Sequence, residues 1–222
     1  MKPITEQQLA IFRRHMVELI EMHFDLASDE LGRNGLTPAL RRALMDVPRH
    51  LFVGPQFMGV AYQDTPLPLG FDKTVSQPFM GAAMIDLLDL TPGERVLEVG
   101  TGLGYQAALM SELGAEVWSV EIVEELAEAA NSRLQALGYN VEVRVGDGSR
   151  GWAEHQPFDA ILVTAAAPAV PQRLLSQLEP GGRMVLPIGD TEAQQLTLIE
   201  KSAAGEVATK SIMAVTFARL ES

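Results

Sequence analysis

Glu98-Val-Gly-Thr-Gly-Leu-Gly-Tyr105 joins a short apolar run, Arg95 to Val99, to a helical one, Tyr105 to Leu113. Glycines at 100, 102 and 104 let the backbone turn tightly and approach a ligand with the helix N–H groups facing it. The spacing is not the dinucleotide fingerprint, whose third glycine comes three residues after the second. Here it comes two after, and Glu98 precedes the set. A carboxylate at that point suits a cationic amine better than a pyrophosphate. A plain strand-to-helix turn accounts for one glycine; three with a flanking acid favour a ligand site.

On either side of this loop the chain alternates. Phe79 to Leu90 reads as a helix before the strand Arg95–Val99, and Gly114 closes the helix after it. A strand at Glu116 to Glu121, a helix at Glu124 to Leu137 and a strand at Val141 to Val145 follow. Further on come a strand at Asp159 to Thr164, a helix near Pro171 to Leu178 and a strand at Arg183 to Pro187. Strands separated by helical segments predict an α/β fold, a doubly wound, mostly parallel sheet with helices on both faces. The last two strand-like stretches, Gln195 to Glu200 and Ser211 to Leu220, flank the turn-like Ser202-Ala-Ala-Gly205 and predict an antiparallel hairpin on the sheet edge.

Two more acids fall at strand ends. Glu121 ends the second strand, where doubly wound sheets commonly place the acid that accepts from ribose hydroxyls, and Gly146-Asp147-Gly148 ends the third. Either acid alone reads equally as a surface residue or a cap. Three acids and three glycines at one rim point to a ligand with a cationic amino acid part, a ribose and a base with an exocyclic amine: S-adenosylmethionine.

The 222 residues are 47% hydrophobic and 21% charged, enough for one domain that buries about 70–75% of the surface its unfolded chain exposes. There is no cysteine, which excludes disulfides, thiolate metal sites and thiol nucleophiles, and no metal ligand set is read. A net charge of -12 argues against a nucleic-acid partner. With no signal-like start and no apolar run long enough to span a bilayer, the expected location is the cytoplasm, without a membrane partner. Before the sheet, Thr5-Glu-Gln-Gln8 has the form of a capping box, and Leu9, Phe12, Met16, Leu19, Ile20 and Phe24 follow as the buried stripe of a helix. A second helix is read from Thr37, with Pro38 in its first turn, to just before Pro48. Leu51 to Gln77 is rich in Gly and Pro, an ordered but irregular connection whose length suggests a functional loop. The whole, 1–222, is expected to be one domain, with N-terminal helices and an active-site loop over 1–75 and the sheet core over 76–222.

From Val47 to Leu220 the chain resembles the protein-L-isoaspartate (D-aspartate) O-methyltransferases. The likeness rests on Val47-Pro-Arg-His-Leu-Phe-Val53, Ala61-Tyr-Gln-Asp64, Pro66-Leu-Pro-Leu-Gly70, Thr74-Val-Ser-Gln-Pro78, Glu98 to Ala108, Gly146-Asp-Gly148, Thr164-Ala-Ala-Ala-Pro168, Leu178 to Arg183 and Leu186-Pro-Ile-Gly189. The resemblance implies a class I, Rossmann-like methyltransferase that uses S-adenosylmethionine, leaves S-adenosylhomocysteine, and methylates the α-carboxyl of isoaspartyl residues in damaged proteins and peptides. The ester then closes spontaneously to a succinimide. It implies Glu98, Gly100, Thr101, Gly102, Gly104, Glu121, Ile122, Asp147 and Gly148 on the cofactor, and Ser76 as the active-site hydroxyl. The peptide would meet Thr74, Val75, Gln77, Ala166, Ala167, Pro168, Val215 and Phe217. Some positions depart from the family pattern: Phe79 stands where relatives carry histidine or tyrosine, Asp72-Lys73 replaces Gly-Gln, and Phe217-Ala-Arg-Leu220 replaces Phe-Val-Pro-Leu.

That chemistry needs few catalytic groups. A carboxylate attacking a sulfonium methyl is already ionised at pH 7, so alignment and exclusion of water matter more than proton transfer. His15, His23, His50 and His155 all fall outside the inferred rim. A serine two residues before Pro78 is also an ordinary N-cap, and the pattern leaves that reading level with the catalytic one until the resemblance favours the latter. Methylation of base amines is disfavoured because Thr164-Ala-Ala-Ala-Pro168 offers neither amide, acid nor ring, and a cysteine adduct is impossible. Two alternatives stay open: a different acceptor on the same fold, or a cofactor-binding protein without turnover. The oligomeric state is not fixed, with a monomer favoured.

Overall fold

The computed structural model describes residues 4–71 and 73–222. Seven strands form the central sheet: β3 (Arg95–Val99), β4 (Glu116–Glu121), β5 (Val141–Val145), β6 (Phe158–Val163), β7 (Leu178–Gly189), β8 (Gln194–Lys201) and β9 (Val207–Val215). Their order is β5-β4-β3-β6-β7-β8-β9; the first five run parallel, and β8 and β9 are antiparallel additions. The order in which successive strands are added reverses between β3 and β6, the place where open α/β sheets leave a crevice at their carboxyl ends. The register puts Val99 beside both Val120 and Val163, so the loops leaving β3, β4 and β6 start at one level.

Alternate residues of the sheet feed two cores. Val96, Ala160, Leu162 and Val185 face a cluster shared with α4 (Pro78–Leu88), α5 (Tyr105–Glu112) and α6 (Glu124–Ala136). Leu97, Val99, Ile161, Val163 and Met184 face another with Trp152 and α7 (Gln172–Gln177). The β5-to-β6 connection carries only two short 3-10 turns, Gly148–Arg150 and Ala153–His155. The first cluster continues without a break into the N-terminal helices α1 (Glu6–Leu26) and α3 (Pro38–Asp46), which flank the short α2 (Ser28–Leu31). Thr5 caps α1 reciprocally with Gln8, and Thr37 caps α3. No helix among the described residues is long and apolar enough to cross a membrane.

Three expectations need correction. The buried stripe of α1 is Leu9, Met16, Val17, Ile20 and Phe24, while Phe12 and Leu19 are 39% and 40% exposed. The stretch after α3 is not wholly irregular: β1 (Leu67–Gly70) and β2 (Lys73–Val75) form an antiparallel hairpin. The last strand is Val207–Val215 rather than Ser211 to Leu220. Its first five residues are exposed on the sheet edge, so no alternation marks them, and Ala218 to Leu220 leave the sheet edge to bond Ala166.

Candidate active site

A cleft of about 710 Å3 opens at the carboxyl ends of β3, β4 and β6, within the range usual for small-molecule sites. One wall is the glycine loop. Gly100 has φ +95°, and a Cβ there would meet the Thr164 hydroxyl at 2.3 Å, a hydroxyl that donates to the Gly100 carbonyl at 2.8 Å. Only glycine closes the crevice in this way. Gly104 does something else: it lies outside the lining, and a Cβ on it would press Leu134 at 3.0 Å, so it lets α5 pack on α6.

Gly100, Thr101 and Gly102 line the cleft, with Glu121, Ile122 and Gly148 beside them. Glu121 accepts from Gly102 N–H at 2.9 Å and Val123 N–H at 3.1 Å, which fixes its carboxylate at the rim and leaves lone pairs for hydroxyl donors. Glu98 and Asp147 are placed otherwise than expected. Glu98 is fully buried beneath the loop rather than in the lining. It accepts from the Ser119 hydroxyl, which in turn bonds the Thr101 hydroxyl at 2.6 Å. Burial raises its pKa to about 8 despite the Ser119 hydrogen bond, so at neutral pH it holds its proton and supports the loop as a neutral group. Asp147 is also outside the lining. It caps the 3-10 turn, accepting from Ser149 N–H at 3.0 Å and Arg150 Nε at 2.9 Å. Burial works against its charge, but the hydrogen bonds from Ser149 and Arg150 hold its carboxyl below the ordinary aspartate value.

The second wall comes from distant segments. Thr74, Val75, Ser76 and Gln77 line it from β2 to the start of α4, and Val215 and Phe217 line it from the end of the chain. Ala166, Ala167 and Pro168 do not reach the cleft; Thr164 and Ala165 do. Ala166 is held against the C-terminal segment by Ala166 N–H to Ala218 O at 2.7 Å and Leu220 N–H to Ala166 O at 2.8 Å, and Ala167 is buried in the second core. Gln194 fixes Phe217 by accepting its N–H at 2.7 Å and donating to its carbonyl at 3.1 Å.

The Ser76 segment is clamped from two sides by residues to which sequence reasoning gave no role. Arg49, buried with its guanidinium over the Tyr105 ring, donates to Ser76 O at 3.1 Å and Ala61 O at 3.0 Å. Asp64 accepts from Phe79 N–H at 2.8 Å and Gln77 Nε2 at 2.9 Å, and its other neighbour is His23 Nδ1 at 2.8 Å. Asp64 therefore caps α4 from afar. The N-cap position is Gln77, and no local side chain caps the helix, so the capping role open to Ser76 is already filled. Both residues lay inside motifs of the resemblance, Val47–Val53 and Ala61–Asp64, which was the available signal.

Two polar atoms at the wall, the Tyr105 hydroxyl and Gln106 Nε2, are buried with no hydrogen-bond partner among the described residues. Together with a loop in which a side chain at Gly100 would collide and a carboxylate at the second strand end, they fit a nucleoside-bearing ligand such as S-adenosylmethionine.

Comparison with known proteins agrees with this architecture. Residues 26–222 match the family Protein-L-isoaspartate(D-aspartate) O-methyltransferase (PCMT). A Polaromonas protein named Protein-L-isoaspartate O-methyltransferase 1 is 48% identical over 219 residues, covering 98% of this chain and 93% of that one. A Gloeobacter violaceus protein of the same name, without the number, is 50% identical over 189 residues, covering 84% and 92%. A solved structure named protein-L-isoaspartate O-methyltransferase superposes with a TM-score of 0.80 at 28% identity, covering 95% of this chain and 66% of that one. The chain belongs to the protein-L-isoaspartate(D-aspartate) O-methyltransferase family.

Proposed function

We propose that the protein transfers a methyl group from S-adenosylmethionine to the α-carboxylate of L-isoaspartyl residues in damaged proteins and peptides, a repair reaction. The observation that carries this reading is that one cleft holds the glycine loop on one wall and Ser76, in Thr74-Val-Ser-Gln-Pro78, on the other. Gly100, Thr101, Gly102, Glu121, Ile122 and Gly148 would hold the cofactor, with Glu98, Gly104 and Asp147 supporting the loops around it. When bound, the cofactor supplies an electrophilic methyl on a cationic sulfur.

The chain's own part is placement. The acceptor carboxylate is ionised at neutral pH, so no proton needs to be moved. The Ser76 hydroxyl would donate to one carboxylate oxygen and leave the other to attack. Arg49 and Asp64 hold the backbone that carries it. The β1–β2 hairpin covers the cleft: Leu69 stands 3.4 Å from where a Gly102 Cβ would be, limiting water. Both walls of the cleft come from one chain, which supports action as a monomer. The -12 charge and the acceptor chemistry support an enzyme of proteins rather than of nucleic acids, and the expected location remains the cytoplasm.

Methyl-labelled cofactor offered with the aspartyl and isoaspartyl forms of one peptide tests the reading. Base-labile label on the isoaspartyl form alone is expected. Equal labelling of both forms, or of neither, overturns it.

A further inference from the structure

An anionic acceptor approaching a protein of net charge -12 gains nothing at long range, so its attraction must be local. The cleft lining contains three cations, Arg49, Lys73 and Arg219. Arg49 spends its guanidinium on the carbonyls of Ser76 and Ala61. Lys73, on β2, is different. Its side chain is 20% exposed, and its ammonium donates to the carboxylate of Glu221, 148 residues later and one residue from the C-terminus. Glu221 is presented firmly, because the Leu220 N–H to Ala166 O bond fixes the backbone one residue before it. Both partners line the cleft, so the pair ties the hairpin to the C-terminal segment across the opening.

We propose that Lys73 is a specificity-determining cation of the peptide site, reserved for a carboxylate on the substrate, and that Glu221 stands in for that carboxylate until a peptide displaces it. The inference rests on the isoaspartyl reading above. Lys73 lies three residues before Ser76, the first two steps along the extended β2, about 10 Å at 3.3 Å per residue. An extended peptide whose isoaspartyl group meets Ser76 therefore brings a residue three positions away level with Lys73. The favoured substrate is an isoaspartyl peptide with a second acidic side chain at that distance. Both carboxylates then find hydrogen-bond donors inside an otherwise acidic protein.

Two pairs of isoaspartyl peptides test this, identical except for Glu or Gln three residues before, or three residues after, the isoaspartate. The readout is the Glu/Gln ratio of kcat/KM in each pair, with the same ratio of dissociation constants measured calorimetrically in the presence of S-adenosylhomocysteine. Glu221→Gln is expected to raise the ratio about three- to fivefold in one of the two pairs, the range of a partly exposed ion pair. Lys73→Met is expected to bring it to one, and the double variant to stay at one. A ratio that survives Lys73→Met, or that Glu221→Gln leaves unmoved in both pairs, overturns the proposal. If the parent methylates no isoaspartyl peptide, the reading of the reaction falls, and the binding ratios still decide the role of Lys73: no difference, or no binding, overturns it. Thermal unfolding of each variant confirms that the fold is intact.

Discussion

The two walls of the cleft are held by different means. On the cofactor side, the loops begin at the ends of adjacent parallel strands whose register fixes them, Val99 beside Val120 and Val163. On the side proposed for the acceptor, Ser76 lies outside any strand ladder, and the segment of Phe217 and Glu221 meets the sheet only through an isolated backbone bridge at Ala166. Side chains brought from far along the sequence fasten them: Arg49 and Asp64 to the Ser76 segment, Gln194 to Phe217, Lys73 to Glu221. A wall built on ladder hydrogen bonds tolerates little change in its backbone. A wall built on side-chain clasps can be retuned one residue at a time.

The largest effect on stability is expected on the ladder side. Gly100→Ala places a methyl 2.3 Å from the Thr164 hydroxyl at a φ that L residues rarely adopt. A destabilisation of at least about 2 kcal/mol, read by denaturant unfolding, is expected, with S-adenosylhomocysteine affinity falling by more than about tenfold. A Gly100→Ala variant of normal stability and affinity would mean that the rigidity assigned to this wall is misplaced.

Next comes the acceptor wall. Asp64→Ala removes the acceptor for Phe79 N–H and Gln77 Nε2 together and leaves the first turn of α4 uncapped. Stability should fall by about 1–3 kcal/mol. Because a shift of about 1 Å in a positioning element costs on the order of 100-fold, kcat/KM for an isoaspartyl peptide should fall by about that factor. Cofactor affinity, set by the other wall, should change by less than about twofold. A parallel loss of cofactor affinity would show that the two walls are not independent.

This division also explains what the sequence made legible. Arg95–Val99, Glu116–Glu121 and Val141–Val145 match their expected bounds residue for residue: the first two are short, mostly buried parallel strands with clear turn signals on both sides, and the edge strand Val141–Val145 shows itself by valines alternating with charged residues. The glycine loop was legible for the same reason, being contiguous. Asp64 was not, because its partners lie 13 and 15 residues away, and nothing local distinguishes a distant cap from a surface acid. Glu98 shows the opposite error. Its place beside the glycines suggested a ligand contact, yet strand alternation turns it inward toward Ser119, a direction the acid's own chemistry gave no reason to expect.

The buried Glu98 gives the third test. Its pKa of about 8 in the fold exceeds the ordinary 4.5, so the folded protein keeps a proton that the unfolded chain has released. Stability supplied by that proton is therefore lost as pH rises from about 4.5 through 8. Asp86, raised by burial to about 6 with Arg33 opposing, acts in the same direction but only below that value. Between pH 6 and 8 the slope belongs mainly to Glu98, at most about 1.4 kcal/mol per pH unit. Glu98→Gln should flatten the parent's decline by about 1–2 kcal/mol across that interval, measured by denaturant midpoints at each pH. An unchanged slope would mean that Glu98 is ionised under the loop.

The smallest change separates catalysis from architecture most cleanly. A serine just before a helix that begins at Pro78 is ordinarily a cap, and its loss would ordinarily cost about 1 kcal/mol of stability. Here Gln77 occupies the N-cap position and the Asp64 carboxylate satisfies Phe79 N–H, while Ser76 lines the cleft and Arg49 holds its carbonyl. Ser76→Ala should therefore leave stability within about 0.5 kcal/mol of the parent. Loss of one hydrogen bond to the acceptor carboxylate should lower kcat/KM by about tenfold, with S-adenosylhomocysteine binding unaltered. A stability loss equal to the activity loss would return Ser76 to the helix. Activity lost alone would place its hydroxyl on the substrate, and would make the clasped wall, rather than the laddered one, the part of the molecule that chooses what is methylated.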